Sequence, residues 1–189
     1  MSIFFTSDPH FGHANIIKYC NRPFATADEM DRTIIDRWNE RVQPADTLYC
    51  LGDWCLWRGS RSLGEVAASY REQINCRKIV MLWGNHDKRG RRDPEFQRLF
   101  DGIHDLLELE IDGQFIVLCH YAMRVWNKSH HGAYHLYGHS HGSLPDDPTA
   151  RSLDCGVDAF DFYPVRLDEV VERMAKKQWQ PVDHHGVRD

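Results

Sequence analysis

At 189 residues the chain is long enough for one domain with a sizeable core and short for two. Its 42% hydrophobic and 27% charged residues are ordinary for a globular protein, and a formal net charge of -5 excludes a global electrostatic drive towards nucleic acid or anionic membrane. The six cysteines form no C-x-x-C pair, so they read as reduced, mostly buried thiols of a cytoplasmic protein rather than a disulfide framework.

The first predicted element is a short strand over "SIFFTSD" (2–8), closing on Asp8. "MSIFF" has no basic n-region and polar "TSDPH" soon interrupts it, so no secretory leader is expected. No apolar run approaches the roughly 18 residues of a membrane span. "TADEMDRTIIDRWNERV" (26–42) predicts a helix: Thr26 and Glu29 have capping-box spacing, and Met30, Ile34, Trp38 and Val42 fall on one face. "DTLYCLGD" (46–53) is a second buried strand, ending in Gly52-Asp53. "SLGEVAASYREQI" (62–74) predicts a helix weakened by Gly64, and "KIVMLWGNHD" (78–87) a third strand running into a polar loop. "DPEFQRLF" (93–100) is a short helix with Asp93 as N-cap and Pro94 at the first helical position.

The pattern then changes. "LLELEI" and "QFIVLCH" flank Asp112-Gly113, a two-residue hairpin signal. "YHLYGHSH" (134–141) is a strand ending in histidines, "RSLDCGVD" (151–158) a further strand, and "LDEVVERMAKKQ" (167–178) a closing helix. The tail "PVDHHGVRD" (181–189) reads as frayed, with His184 and His185 in solvent. No repeat or linker divides residues 1–180, which read as a single domain. Strand–helix alternation followed by a hairpin-rich half suggests an α/β domain of two packed sheets with helices outside.

Histidine is out of proportion, 12 in the chain, and several stand where strands end. Five strands close on candidate ligands: Asp8 and His10, then Asp53, then Asn85 with His86, then His120, then His139 and His141. Strand carboxyl ends are where ligand sites gather in α/β sheets. The i,i+2 pairs Asp8/His10 and His139/His141 point to one side if their backbone stays extended. A lone histidine at a strand end is usually solvated or satisfied, and a lone Gly-Asp is usually a turn, but five coincidences favour a common site. Mixed nitrogen and oxygen donors suit Mn, Fe, Zn, Ni or Co rather than a structural thiolate zinc. The donors exceed what one tetrahedral ion needs, and two ions sharing a bridging carboxylate use them all. Paired ions clamp the attacking and leaving oxygens of an in-line displacement and generate hydroxide at neutral pH, so phosphoester hydrolysis is the natural reaction.

The ordered motifs "DPH" (8–10), "GD" (52–53), "GNHD" (84–87), His120 and "GHSH" (138–141) closely resemble those of the calcineurin-like metallophosphoesterases. The chain length and "SDPHFGHANII" look like the small bacterial or phage phosphoesterases of that superfamily. The resemblance implies a four-layer α/β/β/α sandwich of two packed mixed sheets flanked by helices. It also implies two divalent transition metal ions, manganese foremost, with iron, zinc, nickel or cobalt as alternatives. Asp8, His10 and His141 would hold the first ion, Asp53 would bridge, and Asn85, His120 and His139 would complete the second. His86 would contact the phosphoryl oxygen and protonate the leaving group, with Asp87 orienting it and Asn85 also near substrate. Gly84 would let the backbone turn.

Other residues carry two readings. His13 either reaches substrate or packs. His135 is expected to be structural, and His130 and His131 to lie in a loop, with lining of the pocket as the alternative. Cys55 and Cys119 stand near ligands in sequence but are not expected to be ligands. Trp54, Trp57 and Trp83 read as core, with a base-stacking platform as the alternative. "KRGRR" (88–92) is either a solvated face or, through Arg89 with Arg91 or Arg92, a phosphate contact. The expected activity is a metal-dependent phosphoric ester hydrolase acting by a metal-activated hydroxide on a small, nucleotide-like phosphodiester or phosphomonoester. No membrane partner and no strong nucleic-acid binding are expected. The alternatives are a non-catalytic protein-interaction scaffold on the same fold, which an intact His86 and a full ligand set disfavour, and a Ser/Thr protein phosphatase, for which the chain is short.

Overall fold

Apolar runs and alternation sort the strands into two sheets. The computed structural model describes residues 1–57 and 59–182. Among these the order is β1 (Ile3–Thr6), α1 (Ala14–Tyr19), α2 (Ala27–Arg41), β2 (Thr47–Cys50), α3 (Leu63–Arg71), β3 (Lys78–Leu82), α4 (Pro94–Gln97), β4 (Gly102–His104), β5 (Leu106–Ile111), β6 (Gln114–Cys119), β7 (Tyr134–Tyr137), β8 (Ser152–Asp154), β9 (Val165–Arg166) and α5 (Leu167–Ala175). Short 3-10 helices span Asp87–Arg92, Ser129–His131 and Val157–Ala159.

The first sheet has the order β4-β3-β2-β1-β9, parallel except for antiparallel β9. The second has the order β5-β6-β7-β8: an antiparallel hairpin extended by parallel pairing. Both sheets are mixed and flanked by helices, the architecture that the motif resemblance implies. Along the first sheet Phe4, Leu48, Ile79 and Met81 pack towards α2, α3 and α4, against Met30, Ile34, Trp38, Ala67 and Phe96. Phe5, Leu51 and Leu82 pack instead with Ile116, Leu118, Leu136 and Leu153 of the second sheet, joined by Val170 and Met174 of α5. A sheet covered on both faces needs apolar residues on both, hence the continuous runs of β1 to β3. The second sheet's outer face carries Val117 against Trp126 and Ala133.

Local chemistry sets the helix ends. Thr26 Oγ1 caps α2 by accepting from Glu29 N at 3.2 Å, but the Glu29 carboxylate accepts from Ala25 N rather than from Thr26 N. Ser62 and Glu65 make the full reciprocal box on α3. Gly64, read from sequence as a weakness, is where α3 meets α4: a β-carbon there would lie 2.5 Å from Glu95 Cβ. Asp93 caps α4 through Glu95 N and Phe96 N, with Pro94 first in the helix. Asp112 and Gly113, with φ of 51° and 78°, close the β5–β6 hairpin as predicted. Elements α1, β4 and β9 are absent from the sequence-based expectation. They are too short for periodicity to register, and α1 buries only Ile16.

The six cysteines are free, and four of them are buried. Among the described residues no helix is long and apolar enough to cross a membrane. His184 and His185 lie outside the described residues.

Candidate metal centre

The loops that follow β1, β2, β3, β6 and β7 meet at one end of the sandwich. The pairs Asp8/His10 and His139/His141 do converge, but not on extended backbone as the i,i+2 argument requires. Asp8, His10, Asp53, His139 and His141 all have left-handed φ, between 49° and 65°. Asp and His tolerate that region better than most residues, and such conformations persist where surrounding bonds over-determine them. Here Asp8 N donates to Gly52 O at 3.0 Å, His10 N to Asp53 O at 3.1 Å, and His139 N to Asp8 Oδ2 at 2.8 Å.

Asp8 Oδ1 and His10 Nε2 are fully buried, 3.8 Å apart, and without a hydrogen-bond partner among the described residues. An orphaned buried polar atom costs about 1–3 kcal/mol. His10 is held neutral, far below its ordinary titration range, by burial and then by neighbouring positive charge, so its contact with Asp8 is not an ion pair. His141 Nε2 lies 4.0 Å from the same Asp8 oxygen. Asp53 Oδ2 lies 3.5 Å from His10 Nε2 and 3.6 Å from His120 Nε2. Asp8, His10 and His141 form one group with the spacing to hold an ion, and Asp8, Asp53 and His120 another. Orphaned imidazole nitrogen and carboxylate oxygen aimed at shared points are donors that fit a divalent transition ion.

The other predicted ligands complete this cluster. His120 Nδ1 sits 2.7 Å from Leu51 O, an acceptor, so that nitrogen carries the proton. Burial holds His120 neutral by pushing it down to about 4, which leaves Nε2 bare. That bare nitrogen faces Asn85 Oδ1 at 3.0 Å, and His139 Nδ1 approaches the same oxygen at 2.9 Å. The bare His120 nitrogen and the Asn85 oxygen turn lone pairs towards one another, an arrangement that a cation relieves.

The electrostatics agree. Burial, then the charges of Asp8 and Asp87, push Asp53 up to about 8, and burial lifts Asp8 to about 6. Burial opposes charging His141, but hydrogen bonds to Asp158 and Cys20 and the charge of Asp8 outweigh it and raise that ring to about 10.

His86 and Asp87 part company. The exposed His86 ring stands edge-on to His10 with centroids 5.2 Å apart, and its backbone N–H donates to Asp53 Oδ1 at 2.8 Å. Burial, then the charges of His141, His139 and Lys88, hold it below an ordinary imidazole. Asp87, expected to orient His86, is instead a backbone staple. Its carboxylate accepts from Asp53 N at 2.7 Å, Gly84 N at 2.9 Å and Trp54 N at 3.1 Å, tying the β2 and β3 loops together. Gly84 is also corrected: its φ is not left-handed, and it is glycine because Asp53 leaves no room for a β-carbon.

His13 is buried beside the cluster, its Nδ1 3.4 Å from His10 Nδ1. The "KRGRR" run splits. Arg89 lies over the Trp57 ring at 4.6 Å, in a recess shared with Leu63, Arg92, Asp93 and Pro94 that no predicted ligand lines. Lys88 and Arg91 turn the other way, into a recess of about 310 Å³ bounded by Trp83, Asn85, His120 and Tyr121. Arg91 is paired there with Asp105 and lies over Trp83 at 4.9 Å. Trp54 is completely buried and unavailable for stacking on a ligand. His135 is structural as expected: its Nδ1 lies 3.0 Å from Val117 O, and its Nε2 accepts from Met123 N at 3.1 Å. The His130 and His131 rings lie tilted against each other, centroids 4.1 Å apart, in the Ser129–His131 turn.

Sequence reasoning misses Arg22, Asp154 and Asp158. Asp154 accepts from Gly142 N and Gly156 N, Asp158 meets His141, and Arg22 meets Asp158. No motif signals them.

The family model for the "Calcineurin-like phosphoesterase superfamily domain" matches residues 1–150. The "Uncharacterized protein MJ1445" of Methanocaldococcus jannaschii is 34% identical over 179 residues, covering 92% of each chain. The "Gene 66 protein" of Mycobacterium phage D29 is 26% identical over 196 residues, covering 90% of this chain and 94% of that one. Among solved structures, the protein of unknown function AQ665 from Aquifex aeolicus superposes with a TM-score of 0.67 at 22% identity, over 90% of this chain and 98% of that one, and so shares the fold. Members of the matched family are generally phosphoester hydrolases that use divalent metal ions. With four-fifths of its length under the family model and the donor cluster at the strand ends, the chain belongs to the calcineurin-like phosphoesterase superfamily.

Proposed function

We propose that the protein is a dinuclear metal-dependent phosphoesterase of the cytoplasm, acting on a small, nucleotide-like phosphodiester or phosphomonoester. Asp8, His10 and His141 hold one ion, Asn85, His120 and His139 the other, and Asp53 serves both. The observation that carries this reading is the place of Asp53 Oδ2, nearly equidistant from His10 Nε2 and His120 Nε2 at 3.5 and 3.6 Å. Divalent ions bound there supply Lewis acidity to the phosphoryl oxygens and a nucleophile at neutral pH. Manganese is the first choice of metal, with iron, zinc, nickel and cobalt as alternatives.

The protein's own groups do the rest. His86 stands at the exposed rim of the donors and gives a proton to the leaving-group oxygen. His13 buttresses His10. The aromatic and cationic recess of Trp83, Lys88, Arg91 and Tyr121 takes the part of the substrate beyond the scissile phosphate. Arg89, turned onto Trp57, has no part in that recess. A decayed scaffold has no reason to keep orphaned buried donors, which disfavours the non-catalytic alternative.

The test is metal titration of the metal-free protein followed by hydrolysis of chromogenic mono- and diesters. Uptake of two equivalents with metal-dependent turnover supports the reading. Uptake without turnover of any ester would return the chain to the scaffold reading.

A further inference from the structure

Arg22 follows α1, far in sequence from Asp158, and its side chain is fully buried. Its five donors all find acceptors. Nε gives to Asp158 Oδ1 at 2.8 Å and Nη2 to Asp158 Oδ2 at 2.8 Å, a fork on one carboxylate. Nη2 also gives to Asp8 O at 2.8 Å, and Nη1 to Pro9 O at 3.1 Å and to Met30 Sδ at 3.2 Å. The two carbonyls belong to the loop where Asp8 and His10 hold left-handed φ of 58° and 51°. On its far side Asp158 Oδ2 meets His141 Nδ1 at 2.8 Å.

We infer that Arg22 and Asp158 are positioning residues that lock the Asp8–His10 loop to His141 and keep a proton on its Nδ1, so that Nε2, facing Asp8, is the nitrogen left bare when the ring is neutral. The inference rests on the metal centre proposed above. Its logic is that of a histidine ligand whose second nitrogen donates to a carboxylate, which sets the tautomer and the ring plane. A buried ion pair is a poor device for stability alone, since apolar residues of the same volume do as well. This pair does what apolar residues cannot: it places a carboxylate behind a ligand while adding no net charge beside the site. Lysine lacks the planar fork and would hold either Asp158 or the loop carbonyls, not both.

The experiment compares wild type with Asp158→Asn and Arg22→Lys. Asparagine is nearly isosteric, but its amide can donate to His141 Nδ1 and drive the proton to Nε2, the form that cannot bind a cation. Calorimetric titration of metal-free protein with Mn²⁺ should show the affinity of one site falling about 10–100-fold in Asp158→Asn while the other site is unchanged. Arg22→Lys should weaken the same site although it keeps its charge. Nitrogen-15 shifts of His141, recorded on metal-free protein at a pH where the ring is neutral, should place the proton on Nδ1 in wild type and on Nε2 in Asp158→Asn. Thermal unfolding of the metal-free variants controls for general damage; should Asp158→Asn not fold, the affinities of Arg22→Lys and the wild-type tautomer decide. Unchanged affinity at both sites, or a wild-type proton on Nε2, overturns the inference. A wild type that takes up no metal removes the proposed function, and the nitrogen shifts still decide whether Asp158 sets the tautomer.

Discussion

Gly84 lies so close to Asp53 that a β-carbon at position 84 would stand 2.1 Å from Asp53 Oδ1 and 2.5 Å from its backbone nitrogen. The two residues come from different loops, so the carboxylate proposed to bridge the ions is held partly by the absence of a side chain across from it. Gly84→Ala should therefore push Asp53 out of place, cost about 1–3 kcal/mol of stability as an overpacked core does, and lose at least one metal equivalent. Denaturant unfolding with elemental analysis checks this. A destabilised variant with full metal content would mean that Asp53 can shift without consequence.

His86→Ala should keep both metals, because the contact that His86 makes with Asp53 is through its backbone N–H, which alanine retains. Turnover should fall about 10²–10⁴-fold, the usual worth of a positioned general acid. The loss should be smallest for esters of good leaving groups such as p-nitrophenolate, which need little protonation. The measurement is kcat across a series of aryl esters. A uniform loss assigns His86 to phosphoryl positioning, and loss of metal makes it a ligand.

Stability of the metal-free protein should fall between about pH 6.5 and 8. Asp53 is raised to about 8 and His141 to about 10, so both act across that window, whereas Asp8, raised to about 6, has lost its contribution below it. A raised acid or a raised imidazole contributes stability in full below its unfolded pKa and loses it as pH climbs through the folded one. His10 and His120, both lowered, act in the opposite sense, but their contribution is already nearly complete above about pH 6.5. Bound cations favour the ionised carboxylates and the bare His141 nitrogen, so the metal-induced rise in Tm should be larger at pH 8 than at pH 6.5. Thermal scans with and without Mn²⁺ at the two pH values check it; an equal rise at both would contradict it.

Lys88 shares the recess with Asn85 and His120, whereas Arg89 is turned onto Trp57. Lys88→Ala should raise KM for a nucleotide diester several-fold and leave bis-p-nitrophenyl phosphate almost unchanged, since binding remote from the reacting bond is read in KM. Arg89→Ala should affect neither substrate. Kinetics at fixed salt decide, and equal small effects of Lys88→Ala on both substrates would return the run to a solvated face.

The donors are legible in the sequence because each follows an apolar strand, and strand ends in a twisted sheet gather whatever they carry. The hairpin at Asp112-Gly113 and the caps at Thr26 and Asp93 are legible because their chemistry is local. What is not legible depends on contacts across the chain. Arg22 and Asp158 meet over 136 residues, and nothing near either announces the other. Asp87 looks like the partner of His86 because they are neighbours, yet its carboxylate is spent on the backbone of two loops. Gly84 suggests a turn, and only the packed structure shows that the demand is for space. The left-handed ligand residues likewise follow from bonds between loops rather than from any local pattern.

Asp53 is the one donor proposed to serve two ions at once. Elemental analysis of wild type and Asp53→Asn, each loaded with excess Mn²⁺ and desalted, tests it most directly, with folding of both metal-free proteins verified by circular dichroism. Two equivalents in wild type, at most one in the variant, and near-complete loss of ester hydrolysis are expected. Two equivalents retained in both proteins would contradict the account.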